Sequence, residues 1–420
     1  MNAQQIPTFA FYMKGWKHEI FRRFFPDRAF TFIPLFPETK DFEREWGRRI
    51  LKSENPEIFV WSLRAPKGLK EFAARNDIPV YHIEDGFIRS VEANAGRSTP
   101  LSLTFDRQTA YFDSRSASDL ESLLATFDFD GNPELLNRAA EGIRLLLKTG
   151  VSKYNTDKKV DIEALYGPKT RKRILVIGQV ESDASIEFGC QTPMTNNDLV
   201  QHAADENPDA QIIYKPHPDV LNRVRGAKSN PEDVKHICQV ITTPLSLAQA
   251  FETIDHVYTM TSLAGFEALL RGLPVTAFGG PFYAGWGLTD DRQPNPRRGR
   301  KLSIEALFAG AYLLYPRYFD PHTGQGSTFE ETTTKILRHL SGEKMDFSVP
   351  KKAPPKWEPW GPYGLLGWRH VLPFFVTPIV KKIGNKRDAE VFREDPILFF
   401  RELANPKQRF IGRLLYPFDE

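Results

Sequence analysis

The chain of 420 residues is 41% hydrophobic and 26% charged, a composition typical of a soluble globular protein with room for two domains. Its formal net charge of +3, from 56 Lys and Arg against 53 Asp and Glu, does not indicate nucleic-acid binding. No window approaches the roughly 18 to 20 apolar residues of a spanning helix, and the N-terminus lacks the pattern of a secretory signal. Cys190 and Cys238 lack the spacing of a zinc site or a disulfide framework. We therefore predict free thiols and a cytoplasmic protein.

Short apolar runs alternate with helical patterns along the chain. This alternation is typical of βαβ units in open parallel sheets. We therefore predict an α/β fold of two doubly wound domains that face each other across a cleft, where the carboxyl ends of the strands bind ligands. The runs are, in chain order, "TFAFYM", "FTFIPLF", "EIFVWSL", "PVYHIED", "RILVIGQV", "AQIIYKPH", "HVYTMTS" and "LPVTAFGG".

A helical pattern, "NPELLNRAAEGIRLLLKTG", and the polar stretch Val151–Arg173 separate the first four runs from the last four. We predict an N-terminal Rossmann-like domain over residues 1–165, a C-terminal Rossmann-like domain over residues 166–342 and an extension over residues 343–420. The extension is rich in Trp and Pro and contains "VTPIVKKIGNKR". It fits either a strap packed across the two domains or an anchor at the surface of an anionic membrane.

The run "PVYHI" leads into Glu84 and Asp85, so both acids lie at the carboxyl end of a predicted strand. A carboxylate at this position can act as a general acid if its surroundings raise its pKa. The structural alternative is that the acids cap the next element and pair with Arg89, and the pattern alone favours it.

The stretch "RILVIGQVESDASIEFG" begins as an apolar strand and becomes polar where the strand should end. In an extended backbone, Gln179, Glu181 and Asp183 would share one face. The alternative is a turn in which Asp183 and Ser185 cap the following helix, and the pattern alone favours the turn.

The stretch "IIYKPHPDV" ends a predicted strand with Lys215 and His217 between two prolines. Proline restricts its own φ and the conformation of the residue before it, so we predict a rigid loop. A fixed cation and imidazole at a strand end suit an anionic ligand such as a nucleotide phosphate. A histidine with a purely structural role is the alternative.

The stretch "VYTMTSLAGFEALLRG" predicts a strand, a cap formed by Thr261 and Ser262, and a helix that is closed by Gly272. A helix start with free N–H groups and hydroxyls binds anions. Glu267 lies in the first two turns, where it can accept a hydrogen bond from a ribose. The alternative for Ser262 is a simple helix cap.

The sequence has no P-loop, no GxGxxG after a first strand, no GxSxG elbow and no regularly spaced metal-ligand cluster. Phosphotransfer, hydride transfer and serine hydrolysis therefore have no support. Two α/β domains with acids at the cleft and an anion site suit group transfer from a nucleotide-activated donor.

Several long stretches together resemble the capsular polysaccharide synthesis family of KpsC and LipA, which are retaining β-Kdo glycosyltransferases. They occur in order over roughly residues 50–320. The stretches are "EDGFIRS", "PLSLTFD", "SKYN", "GQVESDASI", "YKPHPDV", "TMTSLAGFEALLRG" and "PFYAGWGLTDD".

The resemblance implies a GT-B-like fold and CMP-β-Kdo as donor, with neither a metal ion nor another cofactor. It implies that Asp183 is the nucleophile that attacks the anomeric carbon, and that Glu84, with Asp85 beside it, is the acid/base for the acceptor hydroxyl. It places CMP against Lys215, His217, Thr261, Ser262 and Glu267. Gln179, Arg89 and Ser185 are its candidate substrate-binding residues, and Glu181 and Glu187 are expected on the solvated side.

Members of this family usually carry two modules that add alternating linkages, whereas this chain has one. Its stretches are more similar to the C-terminal module, and we favour a KpsC-like over a KpsS-like protein, with the linkage left open. The predicted partners are a lipid-linked glycan acceptor, the inner face of the cytoplasmic membrane and the capsule export machinery, with no nucleic acid. The alternatives are another CMP- or UDP-activated sugar donor, or an inactive subunit for capsule assembly or export.

Overall fold

The computed structural model describes residues 5–33, 35, 42–90, 98–150, 160–221, 228–349, 367, 369, 371–383, 386–403 and 405–416. The chain forms two compact units. Unit 1 contains Met1–Val80, His322–Gly324 and Ser348–Glu420, and unit 2 contains Tyr81–Pro321 and Gln325–Phe347. Both sides of the boundary predicted at residues 165/166 fall within unit 2. That boundary, and the cleft between two domains, stay predictions.

The N-terminal part of unit 1 is a small parallel sheet covered by helices. Its strands lie in the order β3-β1-β2 and form a core with α2 and α3 that contains Phe11, Ile58 and Phe72. The elements are β1 (Ile6–Phe11), α1 (His18–Phe24), β2 (Arg28–Phe32), α2 (Arg48–Leu51), β3 (Glu57–Trp61) and α3 (Leu69–Arg75).

Unit 2 contains two sheets and the helices that connect them. Its elements are β4 (Val80–Asp85), β5 (Ser102–Asp106), α4 (Asp119–Thr126), α5 (Pro133–Thr149), α6 (Ile162–Tyr166), β6 (Arg173–Ile177), α7 (Ala184–Glu187), α8 (Asn196–Glu206), β7 (Gln211–Lys215), α9 (Pro218–Leu221), β8 (Gln239–Val240), α10 (Leu247–Ala250), β9 (His256–Thr259), α11 (Leu263–Leu270), β10 (Val275–Ala277), β11 (Asp290–Asp291), α12 (Ile304–Phe308), β12 (Pro316–Phe319), β13 (Gly326–Ser327) and α13 (Phe329–Leu340).

The larger sheet of unit 2 is parallel, with the strand order β11-β10-β9-β6-β7-β8. Strands β6, β7 and β8 extend to one side and β9, β10 and β11 to the other, which is the doubly wound arrangement. The order reverses between β6 and β9, and in doubly wound sheets the loops after the two strands at such a position generally form a ligand-binding crevice. The other sheet of this unit is antiparallel, in the order β4-β5-β12-β13. The predicted α/β class with a doubly wound parallel sheet is confirmed.

Each of the eight apolar runs overlaps a strand of the structure, namely β1 to β4, β6, β7, β9 and β10. The helical pattern before the polar stretch is α5, which the left-handed Gly150 ends with a φ of 66°. Strands β5 and β12 were not among the predicted runs. They pair with each other in the antiparallel sheet although about 200 residues separate them, and no local pattern reports such a pairing.

The C-terminal part of unit 1 is helical and packs on the beginning of the chain. The Gly15 N–H donates to Glu402 Oε1 at 2.6 Å, and a Cβ at Gly15 would collide with Leu398. The helix that carries Leu398 and Glu402, α16 (Pro396–Glu402), therefore lies directly on the turn after β1. Most of the tryptophan-rich stretch lies outside the described residues. Among the residues that are described, no helix is long and apolar enough to cross a membrane. The helices are α14 (Leu372–Ile383), α15 (Lys386–Glu394), α16 (Pro396–Glu402) and α17 (Pro406–Leu415).

Candidate active site

The crevice between the loops after β6 and β9 brings together several residues that the sequence singled out. The Gln179 side chain bridges the two loops: its Nε2 donates to Thr261 Oγ1 at 3.0 Å, and its Oε1 accepts from the Thr261 N–H at 2.8 Å. Gln179 is 7% exposed. Its amide therefore positions Thr261, and a direct contact with substrate stays a prediction.

Asp183 lies in the loop after β6 as the N-cap of α7. Its Oδ1 accepts hydrogen bonds from the Ser185 N–H at 3.1 Å and from Ser185 Oγ at 2.9 Å. Ser185 Oγ is in turn 3.5 Å from Thr261 Oγ1. A continuous series of side chains therefore runs from Asp183 through Ser185 and Thr261 to Gln179, and it fixes the orientation of a half-buried carboxylate.

After β6 the chain forms the turn that the pattern favours, with Asp183 as a helix cap, and not the polar face of an extended strand. Strand β6 ends at Ile177, and the chain turns, so residues two apart no longer share a face. Glu181 is 2% exposed and accepts hydrogen bonds from the N–H groups of Asn196 at 2.7 Å and Ser229 at 2.9 Å, and also from Lys228. The prediction that it lies on a solvated side is wrong.

Asn196, which the sequence analysis missed, holds the backbone of Gln179 in place. Its Oδ1 accepts from the Gln179 N–H and its Nδ2 donates to the Gln179 carbonyl, both at 2.9 Å. Asn196 begins α8 and is 2% exposed. An asparagine in an ordinary helix start carries no signal of this contact, because its partner lies 17 residues earlier.

Glu84 and Asp85 end β4, as predicted, and pair with Thr104 and Leu103 of β5. Asp85 forms an ion pair with Arg89 over 2.7 Å, which is the structural alternative that the pattern favoured. Arg89 is 1% exposed and also donates to Ser90 and Ser98, so its contacts hold the turn after β4. Substrate binding by Arg89 stays a prediction.

Phe87 joins the turn after β4 to α11. Its ring centroid lies 4.7 Å from that of Phe282 and 5.2 Å from that of Tyr312. Phe266 of α11 packs on the same two rings, at 5.2 and 5.5 Å. The turn that carries Glu84 and the helix that carries Glu267 therefore share one buried aromatic cluster within unit 2.

Lys215 ends β7, next to Ile177 of β6, and is half-buried. Burial lowers the pKa of its ammonium group. Within the described part of the chain, the ammonium has neither a hydrogen bond nor an ion pair. A desolvated cation without a protein partner favours an anionic ligand.

His217 follows in the same loop with an orientation that its neighbour sets. The Asp219 N–H donates to His217 Nδ1 at 3.1 Å. An amide N–H can only donate, so Nδ1 is the acceptor and neutral His217 carries its proton on Nε2.

Ser262 is the N-cap of α11, as the sequence predicts, and accepts from the Ala264 N–H at 3.2 Å. Gly265 has no room for a side chain, because a Cβ there would collide with the Tyr283 hydroxyl. Glu267 is 6% exposed and lies 3.9 Å from Arg271 Nη1. The predicted hydrogen bond from a ribose to this buried carboxylate stays a prediction.

The aromatic loop over residues 281–287 is held by a buried ion pair that the sequence did not indicate. Glu121 and Arg298 are 5% and 6% exposed, and their side chains meet at 2.9 Å. Arg298 Nη1 also donates to the carbonyls of Pro281 and Ala284, the latter at 2.8 Å. The loop is thereby fixed beside α11.

No cluster of three or more His, Cys, Asp or Glu residues with the spacing of a metal site occurs in the described part of the chain. Burial raises the pKa of the thiol of Cys190 and that of Cys238 to about 11, so both are protonated at neutral pH. The absence of a metal requirement stays a prediction.

Residues 57–143 and 135–318 match the family model of capsule polysaccharide biosynthesis proteins. The chain therefore belongs to this family. It is 41% identical over 328 residues to the lipopolysaccharide-processing protein LpsZ of Rhizobium meliloti, a match that covers 78% of this chain and 73% of LpsZ.

It is also 36% identical over 335 residues to the capsule polysaccharide modification protein LipA of Neisseria meningitidis serogroup B. That match covers 79% of this chain and 46% of LipA, so the chain spans about half the length of this relative.

Two solved structures of KpsC from Thermosulfurimonas dismutans are similar to this protein. The beta Kdo 2,7 transferase has a TM-score of 0.61 and 34% identity, and the match covers 79% of this chain and 99% of that one. The beta Kdo 2,4 transferase has a TM-score of 0.66 and 29% identity, with 80% and 99% covered. The resemblance to the KpsC and LipA family and the fold class that it implied are confirmed.

Proposed function

We propose that this protein transfers Kdo, or a closely related 3-deoxy-ulosonic acid, from its CMP-activated form to a lipid-linked surface polysaccharide. The observation that carries the proposal is the side-chain series that joins Asp183 through Ser185 to Thr261. It holds a half-buried carboxylate at the same crevice as the N-terminus of α11, so a nucleophile and an anion-binding helix end serve one ligand. The similarity to two KpsC Kdo transferases supports this sugar class.

The donor phosphate is negatively charged, and three groups of unit 2 suit it. Lys215 offers a cation that has no protein partner among the described residues, His217 follows it in the same loop, and the capped start of α11 at Ser262 offers backbone N–H groups. These groups balance the charge of the leaving CMP, so the proposed reaction needs no metal ion. Glu267 and Thr261 complete the proposed CMP site.

In the proposed reaction, Asp183 attacks the anomeric carbon of the sugar, a carbon–oxygen bond to the enzyme forms, and the bond to the CMP phosphate breaks. The acceptor hydroxyl then attacks the same carbon, gives its proton to Glu84 and releases Asp183. Each displacement inverts the anomeric centre, so two of them retain its configuration. Asp85 and Arg89 position the turn that carries Glu84.

The acceptor in this proposal is attached to a lipid, which places the protein at the inner face of the cytoplasmic membrane with capsule export proteins as neighbours. The similarity to LipA, a capsule polysaccharide modification protein, supports this location.

The nucleophile is tested with Asp183→Asn in the full chain. Incubation with CMP-Kdo without acceptor should add the mass of one sugar to the wild type and none to the variant, and transfer to a Kdo-terminated acceptor should fall at least about 10³-fold. CMP binding should survive, because the amide keeps the shape of the N-cap.

Glu187→Gln is the matched control, since Glu187 is an exposed acid at the other end of the same short helix. It should leave transfer unchanged. Full transfer by Asp183→Asn would show that the nucleophile is another residue, and no CMP release from any CMP-sugar would overturn the transferase proposal.

A further inference from the structure

Exposed apolar side chains are concentrated at the C-terminal end of unit 1. Of the ten large apolar residues that are exposed among the described residues, seven lie between residues 371 and 414. Phe374 and Phe375 are 78% and 73% exposed, which is far outside the usual burial of phenylalanine. The seven are Val371, Phe374, Phe375, Ile379, Phe410, Ile411 and Leu414.

Helix α14 has apolar residues on two faces. Leu372, Val376 and Val380 recur every four residues and pack against the C-terminal core cluster of unit 1. Phe374, Phe375 and Ile379 fall between them and are exposed. The inner face therefore accounts for the folding of this helix, and the outer face has no partner in the described part of the chain.

Helix α17 repeats this arrangement. Gly412 faces inward, where a Cβ would collide with Phe400, and Tyr416 just after the helix is fully buried. Phe410, Ile411 and Leu414 are 61%, 51% and 62% exposed.

Helices α14 and α17 are neighbours at one end. Arg369 precedes α14 by three residues, and its guanidinium donates to the carbonyls of Leu414 and Leu415 at the end of α17. The Tyr416 hydroxyl donates back to the Arg369 carbonyl at 3.5 Å. The beginning of α14 therefore lies beside the end of α17, where Phe374, Phe375 and Leu414 are found.

The charged residues of these two helices have one sign. Lys381 and Lys382 on α14 and Lys407 and Arg413 on α17 are exposed, and neither helix contains an acidic residue. Two copies of this surface would bring four cations of one chain toward four of the other, so a second copy fits poorly. Aromatic and aliphatic side chains flanked by Lys and Arg match the headgroup boundary of an anionic bilayer.

We propose that the exposed faces of α14 and α17 form an apolar platform that lies in the surface of an anionic membrane. Helices of 12 and 10 residues reach about 18 and 15 Å, so they lie parallel to the surface instead of spanning it. Helix α16 connects the platform to the turn after β1 through Leu398 and Glu402. This proposal rests on the membrane location proposed above and does not depend on the sugar chemistry.

The test is sedimentation of the full chain with phosphatidylcholine vesicles and with vesicles that also contain phosphatidylglycerol, without any sugar substrate. The wild type should bind the anionic vesicles more tightly, and added salt should weaken this binding. The platform variant F374S/F375S/L414S should need at least about tenfold more lipid for half-maximal binding. L51S/L147S, which removes two exposed leucines elsewhere, should bind as the wild type does.

Thermal unfolding of each variant checks that it is folded, and CMP release with a soluble acceptor reports the chemistry separately from binding. The platform variant should keep that release. If the wild type does not sediment with anionic vesicles, or the control loses as much binding as the platform variant, the proposal is overturned. Dissociation of a dimer by the platform variant with unchanged vesicle binding would assign the surface to a second copy.

Discussion

The neighbouring strands β6 and β7 end at the paired residues Ile177 and Lys215, and a loop follows each of them. The charged side chains at these two strand ends differ in whether the protein itself supplies their partners. In the first loop, Glu181 and Asp183 accept hydrogen bonds from the protein itself. In the second, the Lys215 ammonium has no hydrogen bond or ion pair to any described residue. The acids are oriented before a ligand arrives, whereas the cation is left for the ligand to neutralise.

Replacing Glu181 should produce the largest change in the first loop. Glu181→Ala removes a buried acceptor of four hydrogen bonds from Asn196, Lys228 and Ser229, and leaves the buried Asn196 N–H without this acceptor. We expect the free energy of unfolding to fall by about 2–4 kcal/mol in a urea titration.

Glu187→Ala is the matched control for this change, because it removes an exposed carboxylate six residues later. It should alter stability by less than about 0.5 kcal/mol. Equal stability of the two variants would show that the hydrogen bonds of buried Glu181 stabilise the fold no more than exposed Glu187 does.

Replacing Lys215 should change the affinity for CMP and not the free energy of unfolding. Lys215→Met removes a desolvated charge but keeps the aliphatic stem, so the free energy of unfolding should stay the same or rise slightly. CMP should bind at least about tenfold more weakly by calorimetry. Lys235→Met, which breaks only a surface ion pair with Glu232, should leave CMP binding unchanged, and an equal loss in both variants would remove Lys215 from the site.

The smallest expected effect is the pH dependence of CMP binding. Burial lowers the pKa of Lys215 below its ordinary value of 10.5, so the ammonium loses its proton at a lower pH than a solvated lysine does. Affinity for CMP should therefore weaken as the pH rises from neutral toward 10, while the phosphate stays ionised. The affinity of Lys215→Met should be flat over this range, and a parallel decline in that variant would exclude Lys215 as the cause.

Much of the fold was predictable because it depends on local pattern. Apolar runs of six to eight residues predicted the strands, and a serine before an apolar helix predicted the cap at Ser262. The contacts of Gln179 with Thr261 were not predictable, because they require β6 and β9 to be neighbours although 82 residues separate the two side chains. Glu181 was misjudged for the same reason, since its donors come from residues 196, 228 and 229.

The C-terminal extension shows a different limit of sequence reasoning. Its composition fitted both a strap across the two domains and a membrane anchor, and both stay predictions, but its helices differ in how they pack. Leu398 and Glu402 seat α16 on Gly15, whereas α14 and α17 leave phenylalanines exposed. An amphipathic pattern marks two apolar faces without indicating which one the rest of the chain covers.

The series from Asp183 through Ser185 to Thr261 has a thermodynamic consequence. Thr261 also stands at the start of α11, so the same hydroxyl is linked to the carboxylate and to the proposed nucleotide site. Occupancy of one site then changes the affinity of the other by an equal free energy in either direction. A sugar attached to Asp183 would therefore alter the affinity for CMP, and the release of CMP would in turn affect the carboxylate that holds the sugar.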